Sequence, residues 1–281
     1  MKKNKSEMMV TQSNLLIESG FNFSLSETKM LLWMIKEVHP GDKDFKDYRV
    51  YIKDFISARK TKNKNKNLYA MADEMTDVFM TRLLKIPLTD GGMDKFTLMS
   101  FCSYKKGEGY LDFRFDKALK PHLIALKKQF TTYDIRNILN CQHSHSIRIY
   151  QLLKSFEKLE ERTITVKDLR RILMLENEYQ RFYDFKRFVL ERSMKDLKKH
   201  SDLFFEYSLN KRGRNIHSVT FTIKKQRQRR LFDNQDYIKN DAVVSYQKPA
   251  DETLKKLEED GRDSVPMPKR LKAKIRKTEE A

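Results

Sequence analysis

The stretch Arg181–Lys199 limits what this chain can fold into more than any other. Read as a helix, it stacks Phe185, Val189, Ser193 and Leu197 on one face, with Leu190 widening that face. The opposite face carries Arg187, Glu191, Lys195 and Lys198. Leu203–Leu209 and Ile216–Ile223 then read as strands, joined by the basic turn Asn210–Asn215. A helix with an apolar back and a cationic front, followed by a hairpin with a cationic tip, is the plan of a winged helix. A charged helix face alone implies only solvation. The basic tip next to it turns the expectation towards DNA.

The whole chain leans the same way. Its 58 lysines and arginines outnumber 39 aspartates and glutamates, a net charge of +19 over 281 residues. Such an excess draws a protein to polyanions through counterion release, and membrane surfaces are polyanionic too. No apolar run approaches the length of a membrane span, and Met1–Glu7 lacks the apolar core of a signal peptide. Cys102 and Cys141 cannot build a disulfide framework and fit a reducing cytosol. The expectation is a cytoplasmic nucleic-acid binder with no membrane partner.

From the N-terminus, Val10–Ser19 reads as a short helix ended by Gly20. Ser24-Leu-Ser-Glu27 fits a capping box, opening a helix that buries Leu31, Met34, Ile35 and Val38. Tyr48–Ile52 reads as a strand and Lys53–Ala58 as a turn or two of helix. A basic run, 59–67, feeds a periodic helix with Leu68, Met71, Ala72, Met75, Val78, Phe79 and Leu83 inward. Its methionines are core filling. Leu84–Leu88, Lys95–Tyr104 and Tyr110–Phe115 read as strands, the last two joined by a glycine-containing turn, and Asp116–Leu126 as a short helix.

The same order then returns: a helix over Ser144–Leu159, a strand over Arg162–Thr165, a helix over Val166–Leu173, and the opening stretch with its hairpin. The predicted fold is α+β, two winged-helix domains in tandem with a disordered basic C-terminal tail. Residues 7–126 form the first domain, 127–143 a joint, 144–223 the second domain and 224–281 the charged tail.

Three stretches resemble the plasmid replication initiators of the Rep type, which have two winged-helix domains and bind repeated origin sites, the iterons. One is Asn14-Leu-Leu followed by Leu25-Ser-Glu-Thr-Lys-Met-Leu-Leu-Trp-Met-Ile35. The second is Ser144-His-Ser-Ile-Arg-Ile-Tyr-Gln-Leu-Leu153, similar to the family's serine, arginine, tyrosine and leucine pattern. The third is the opening helix with its hairpin. The resemblance covers about residues 10–223 and leaves out the tail. It implies a bacterial initiator that binds double-stranded iteron DNA as a monomer, opens the origin and recruits host replication proteins. It also implies dimerisation through the first domain and repression of its own gene at an operator.

A helix in the major groove reads base edges with its exposed side chains. Arg187 is then the candidate for a bidentate contact to guanine, with Lys195 and Lys198 on bases or phosphates. Glu191 either accepts from a cytosine or pairs with Arg187 or Lys195 four residues away, the second being commoner. Arg181 and Lys186 sit near the helix start, where backbone N–H groups also draw phosphate. Lys211, Arg212 and Arg214 occupy the wing. Ser144 is an N-cap candidate, and Ser146 and Arg148 stand at the same helix start, Arg148 as a phosphate clamp. The first domain's equivalent helix exposes Asp73, Glu74 and Asp77, which phosphates repel. Its DNA contacts are expected from Lys60, Lys62, Lys64, Lys66, Lys105 and Lys106, which position without specifying.

Enzymatic readings find less support. Rolling-circle initiators nick DNA with a tyrosine and hold a metal with a His-x-His pair, and His143-Ser-His145 offers such a pair. It stands at a helix start with a polar residue between, so no metal or cofactor is expected. No glycine-rich phosphate loop or HExxH pattern is present. A winged-helix transcriptional repressor would share every DNA-binding feature.

Overall fold

A computed structural model of the chain describes residues 8–58, 68–87, 92–105, 107–126 and 129–226. The basic run 59–67 with Lys60, Lys62, Lys64 and Lys66, the wing residue Lys106, and the tail from residue 227 lie outside the described residues.

The first half runs β1 (Met9–Ser13), α1 (Asn14–Glu18), α2 (Leu25–Ile35), β2 (Tyr48–Tyr51), α3 (Ile52–Ala58), α4 (Leu68–Thr81), β3 (Leu83–Pro87), β4 (Met93–Thr97), β5 (Met99–Lys105), β6 (Tyr110–Phe115), α5 (Lys120–Leu123) and β7 (Phe130–Asp134). The second half runs α6 (Ser144–Lys154), β8 (Glu161–Thr165), α7 (Val166–Leu173), a long helix over residues 182–200, β9 (Leu203–Arg212) and β10 (Asn215–Lys225). The long helix is α8 (Phe182–Phe185), a π-helical stretch Lys186–Glu191, and α9 (Arg192–His200) in one continuous run.

Each half has an antiparallel three-stranded sheet of the same order. β2–β6–β5 and β8–β10–β9 both set an early strand beside the last strand of a hairpin. Helices α2, α3 and α4 of the first half correspond in order to α6, α7 and the long helix of the second, so the winged-helix order occurs twice. The first half inserts the hairpin β3–β4 between α4 and its wing. Lys95–Tyr104, expected as one strand, is therefore two. β4 pairs with β3 and β5 with β6, and buried Leu98 lies between them.

Local signals hold where the chemistry is local. Glu27 N–H reaches Ser24 Oγ at 3.3 Å while Ser24 N–H reaches the Glu27 carboxylate at 2.8 Å, the reciprocal capping box. Thr165 caps α7 through Asp168 N–H at 3.0 Å. Gly107 and Gly109 take positive φ in the β5–β6 turn. Ala72, Met75 and Phe79 of α4 are buried, but Leu83 is exposed, because the helix stops at Thr81 and Leu83 starts a strand.

Other expectations are corrected by distant pairings. The stretch 10–19 is only half helix. Val10 and Gln12 alternate inward as β1, which pairs with β7, Met9 opposite Asp134. β7 lies within 127–143, the expected joint, so that segment carries a strand of the first half's structure. The helix expected over 116–126 is a 3-10 turn, Lys117–Leu119, followed by one α turn.

The two halves pack together within one compact unit. Arg148 of α6 is only 4% exposed, and its guanidinium donates to the carbonyls of Ile17 at 2.8 Å and Ser19 at 2.6 Å. It also donates to the Gln151 amide oxygen and lies over the Phe21 ring. The Gln151 amide donates to the Tyr133 hydroxyl at 2.7 Å, and Lys29 donates to the Cys141 carbonyl at 2.6 Å. Arg162 of β8 pairs with Glu18 of α1. Gly20 sits so close to α7's end that a Cβ there would meet Met174 Sδ at 2.7 Å.

Candidate nucleic-acid interface

The back of the long helix is buried as its periodicity demands: Phe185, Val189, Leu190, Ser193 and Leu197 are all within the core. Three attachments fix where that helix sits. Asp196 is buried, and its carboxylate accepts the backbone N–H of Gln142 at 2.9 Å and of His143 at 3.1 Å, tying α9 to the start of α6. The Gln226 side-chain amide lies near the carbonyls of Leu197, Lys198 and Ser201 and donates to that of Ser201 at 2.7 Å, closing the helix C-terminus. Lys224, Lys225 and Gln226 thus belong to the folded domain, where a tail had been expected from residue 224. Ahead of the helix, the Arg170 guanidinium donates to the carbonyls of Glu178 at 2.7 Å and Tyr179 at 2.8 Å. It thereby holds a loop in which Tyr179 has a positive φ.

Arg181, Arg187, Lys195 and Lys198 all lie on the exposed side of this helix, and Lys186 is half-buried. The π-helical stretch changes one predicted pairing. Glu191 faces Lys186 at 3.7 Å, five residues back, and not Arg187 or Lys195. In an α-helix residues five apart diverge by about 140° around the axis. The i→i+5 bonding of a π turn brings them together. The same shift exposes Arg192, which the 3.6-residue template leaves off the front, and Lys199 beyond it. Tyr183, at 67% exposure, stands on the first turn.

The wing is longer and its turn tighter than the sequence suggests. β9 continues through Lys211 and Arg212, Arg212 pairs with Asn215, and only Gly213 and Arg214 form the turn. Gly213 has φ +64, the left-handed value a primed two-residue hairpin requires of its first central residue. Lys211, Arg212 and Arg214 are all exposed.

Charge pairing differs between the first half's sheet and the cationic front of the second half. On the first, Arg49 forms two bonds to Asp112 at 2.7 and 2.8 Å, and Arg114 reaches Asp47 at 2.6 Å. On the second, no described carboxylate lies within ion-pair reach of Arg187, Arg192, Lys195, Lys198, Lys211, Arg212 or Arg214. Unpaired cations on a surface can neutralise phosphate without first breaking a bond. Lys105 is exposed at the end of β5, and Asp73, Glu74 and Asp77 are exposed on α4, so that helix presents an acidic front.

The helix start at residue 144 is a correction. His143 occupies the N-cap position without a side-chain bond, and Ser144 is the first helical residue. Ser146 is fully buried, and Arg148 spends its guanidinium on the first half's carbonyls, so neither reaches a phosphate. Burial, with His143 beside it, holds the His145 imidazole below its ordinary pKa. Among the described residues no three His, Cys, Asp or Glu side chains converge as a metal site would require, and no helix is long and apolar enough to cross a membrane.

Comparison with known proteins agrees with this architecture. Residues 9–154 match the family model described as Initiator Replication protein, WH1, and residues 165–223 that described as Initiator Rep protein, WH2. A replication initiation protein of Escherichia coli is 28% identical over 233 residues, 79% of this chain and 72% of its own length. The PI protein of Escherichia coli is 26% identical over 165 residues, 51% of this chain and 54% of its own. Among solved structures, the Pi initiator protein in complex with iteron DNA superposes with a TM-score of 0.66 at 18% identity. The match covers 79% of this chain and 99% of that one, and at such identity it speaks for the fold.

Proposed function

The chain belongs to the initiator replication protein family, and from that premise we propose that it binds repeated sites at a plasmid origin, promotes opening of the duplex and recruits host replication proteins. One relative is named as a replication initiation protein, and the Pi initiator, which shares the fold, is crystallised with iteron DNA. The observation that carries the reading is the asymmetry between the halves. The helix over 182–200 presents unpaired cations beside a cationic wing, whereas α4 presents Asp73, Glu74 and Asp77.

In this reading the second domain specifies and the first positions. Arg187 takes a guanine edge, with Lys195 and Lys198 on neighbouring bases or phosphates. Arg181 and Lys186 meet phosphate at the helix start, and Lys211, Arg212 and Arg214 on the wing. Lys60, Lys62, Lys64, Lys66, Lys105 and Lys106 of the first domain hold backbone. Glu191, tied to Lys186, keeps its carboxylate from opposing phosphate. The action is binding, without catalysis. A dimer joined through the first domain would repress the protein's own gene at an inverted repeat.

Footprinting on the DNA flanking its gene tests the reading. Protection of a series of direct repeats, each about two helical turns long, is the expected result. Protection of one inverted repeat alone would make it a transcriptional repressor, and a metal-dependent nick in supercoiled origin DNA would move it to the rolling-circle class.

A further inference from the structure

Phe188 is a half-buried ring on the outer side of the long helix, at its π-helical stretch. Two guanidinium groups lie over it, Arg187 at 5.2 Å and Arg192 at 4.9 Å from the ring centroid. Tyr179 packs against the same ring at 6.0 Å, and its carbonyl is the one Arg170 holds at 2.8 Å. The ring is thus fixed from the loop side and can restrain both arginines at once.

Three features make this cluster more than a solvated edge. The π turn brings residues five apart onto one line, as the 3.7 Å approach of Lys186 to Glu191 also shows. That approach places the Glu191 carboxylate on Lys186, and it forms no ion pair with either arginine. Neither arginine has a described carboxylate partner, so both planar forks remain open to a ligand. A guanidinium fork matches the O6 and N7 pair of guanine, and pre-ordering it on an aromatic ring lowers the entropy lost on contact.

We propose that Arg192 is a second base-reading residue, directed with Arg187 by the Phe188 ring, and that it reads a guanine other than the one Arg187 takes. One guanine offers a single O6 and N7 pair, which one guanidinium fork fills, so two forks held on one ring take separate bases. Phe188 acts as a positioning residue. The inference rests on the reading of this helix as the DNA reader and adds to it a contact that α-helical periodicity conceals.

The test uses the full chain, a duplex carrying one origin repeat, a scrambled duplex of equal length, and a panel of repeats with single base-pair changes. Arg192→Lys keeps the charge and removes the fork. It should lower the preference for the repeat over scrambled DNA about tenfold, leave binding to scrambled DNA and the salt slope unchanged, and erase the preference at one base pair. That base pair should differ from the one at which Arg187→Ala loses preference. Phe188→Leu should weaken preference at both. Full discrimination by Arg192→Lys, or equal loss on both duplexes by Arg192→Ala, would overturn the proposal while leaving the DNA-reading role intact. A wild-type chain that does not prefer the repeat would overturn that role and the proposal with it.

Discussion

Arg148→Ala is expected to destabilise the folded chain by about 3 kcal/mol and to lower the melting temperature by about 6–12 °C. The substitution removes the donors that satisfy the Ile17 and Ser19 carbonyls and opens a void between the two domains. Each buried carbonyl left without a donor costs about 1–3 kcal/mol, and the void adds to that. One term opposes the loss. Burial pushes the Arg148 guanidinium pKa down to about 10, so its charge is held at a cost that truncation relieves. The two unpaired carbonyls and the lost packing outweigh it. Because Arg148 touches the first domain and no exposed surface, the salt dependence of DNA binding by the variant that remains folded should match the wild type. A stable variant with a shallower salt slope would return Arg148 to the role of phosphate clamp and remove it from the domain contact.

Replacing Lys211, Arg212 and Arg214 together by alanine should weaken DNA binding about a hundredfold at physiological salt. Each phosphate contact contributes about 0.9 to the slope of log affinity against log salt, so three together should flatten it by about 2.7. Repeat and scrambled DNA should lose affinity by the same factor, since phosphate contacts carry no sequence. The tip is exposed and held by a two-residue turn, so the fold should not change. An affinity measured across a salt series checks this, and an unchanged slope would take the wing out of the interface.

What the sequence could disclose divides by distance along the chain. The Ser24–Glu27 capping box and the apolar back of the long helix depend on neighbours a few residues away, and each is where local pattern places it. The strand at Met9–Ser13 was hidden because its partner lies more than a hundred residues later, and Val10–Ser19 reads as helix without that partner. Arg148 looked like a cation at a helix start for the same reason. Nothing in its surroundings by sequence reveals that Ile17 and Ser19 supply its acceptors. Asp196 and Gln226 hold the long helix through backbone groups, which leave no trace in residue type. Arg192 was missed for another cause. A 3.6-residue template cannot register a π turn, and the phase slips by one residue after Lys186. The first domain's acidic helix front was legible, because an exposed charge pattern needs only the helix itself.

The central claim is that sequence is read by the helix over residues 182–200 and that the other cations grip the backbone. Its most direct test is the binding of wild-type and Arg187→Ala chains to a panel of origin repeats, each changed at one base pair. The account predicts that Arg187→Ala costs about 1–3 kcal/mol on the intact repeat, loses its preference at one guanine, keeps its preferences elsewhere, and binds scrambled DNA as before. Uniform weakening on every member of the panel, scrambled DNA included, would contradict it and leave Arg187 as one more phosphate contact.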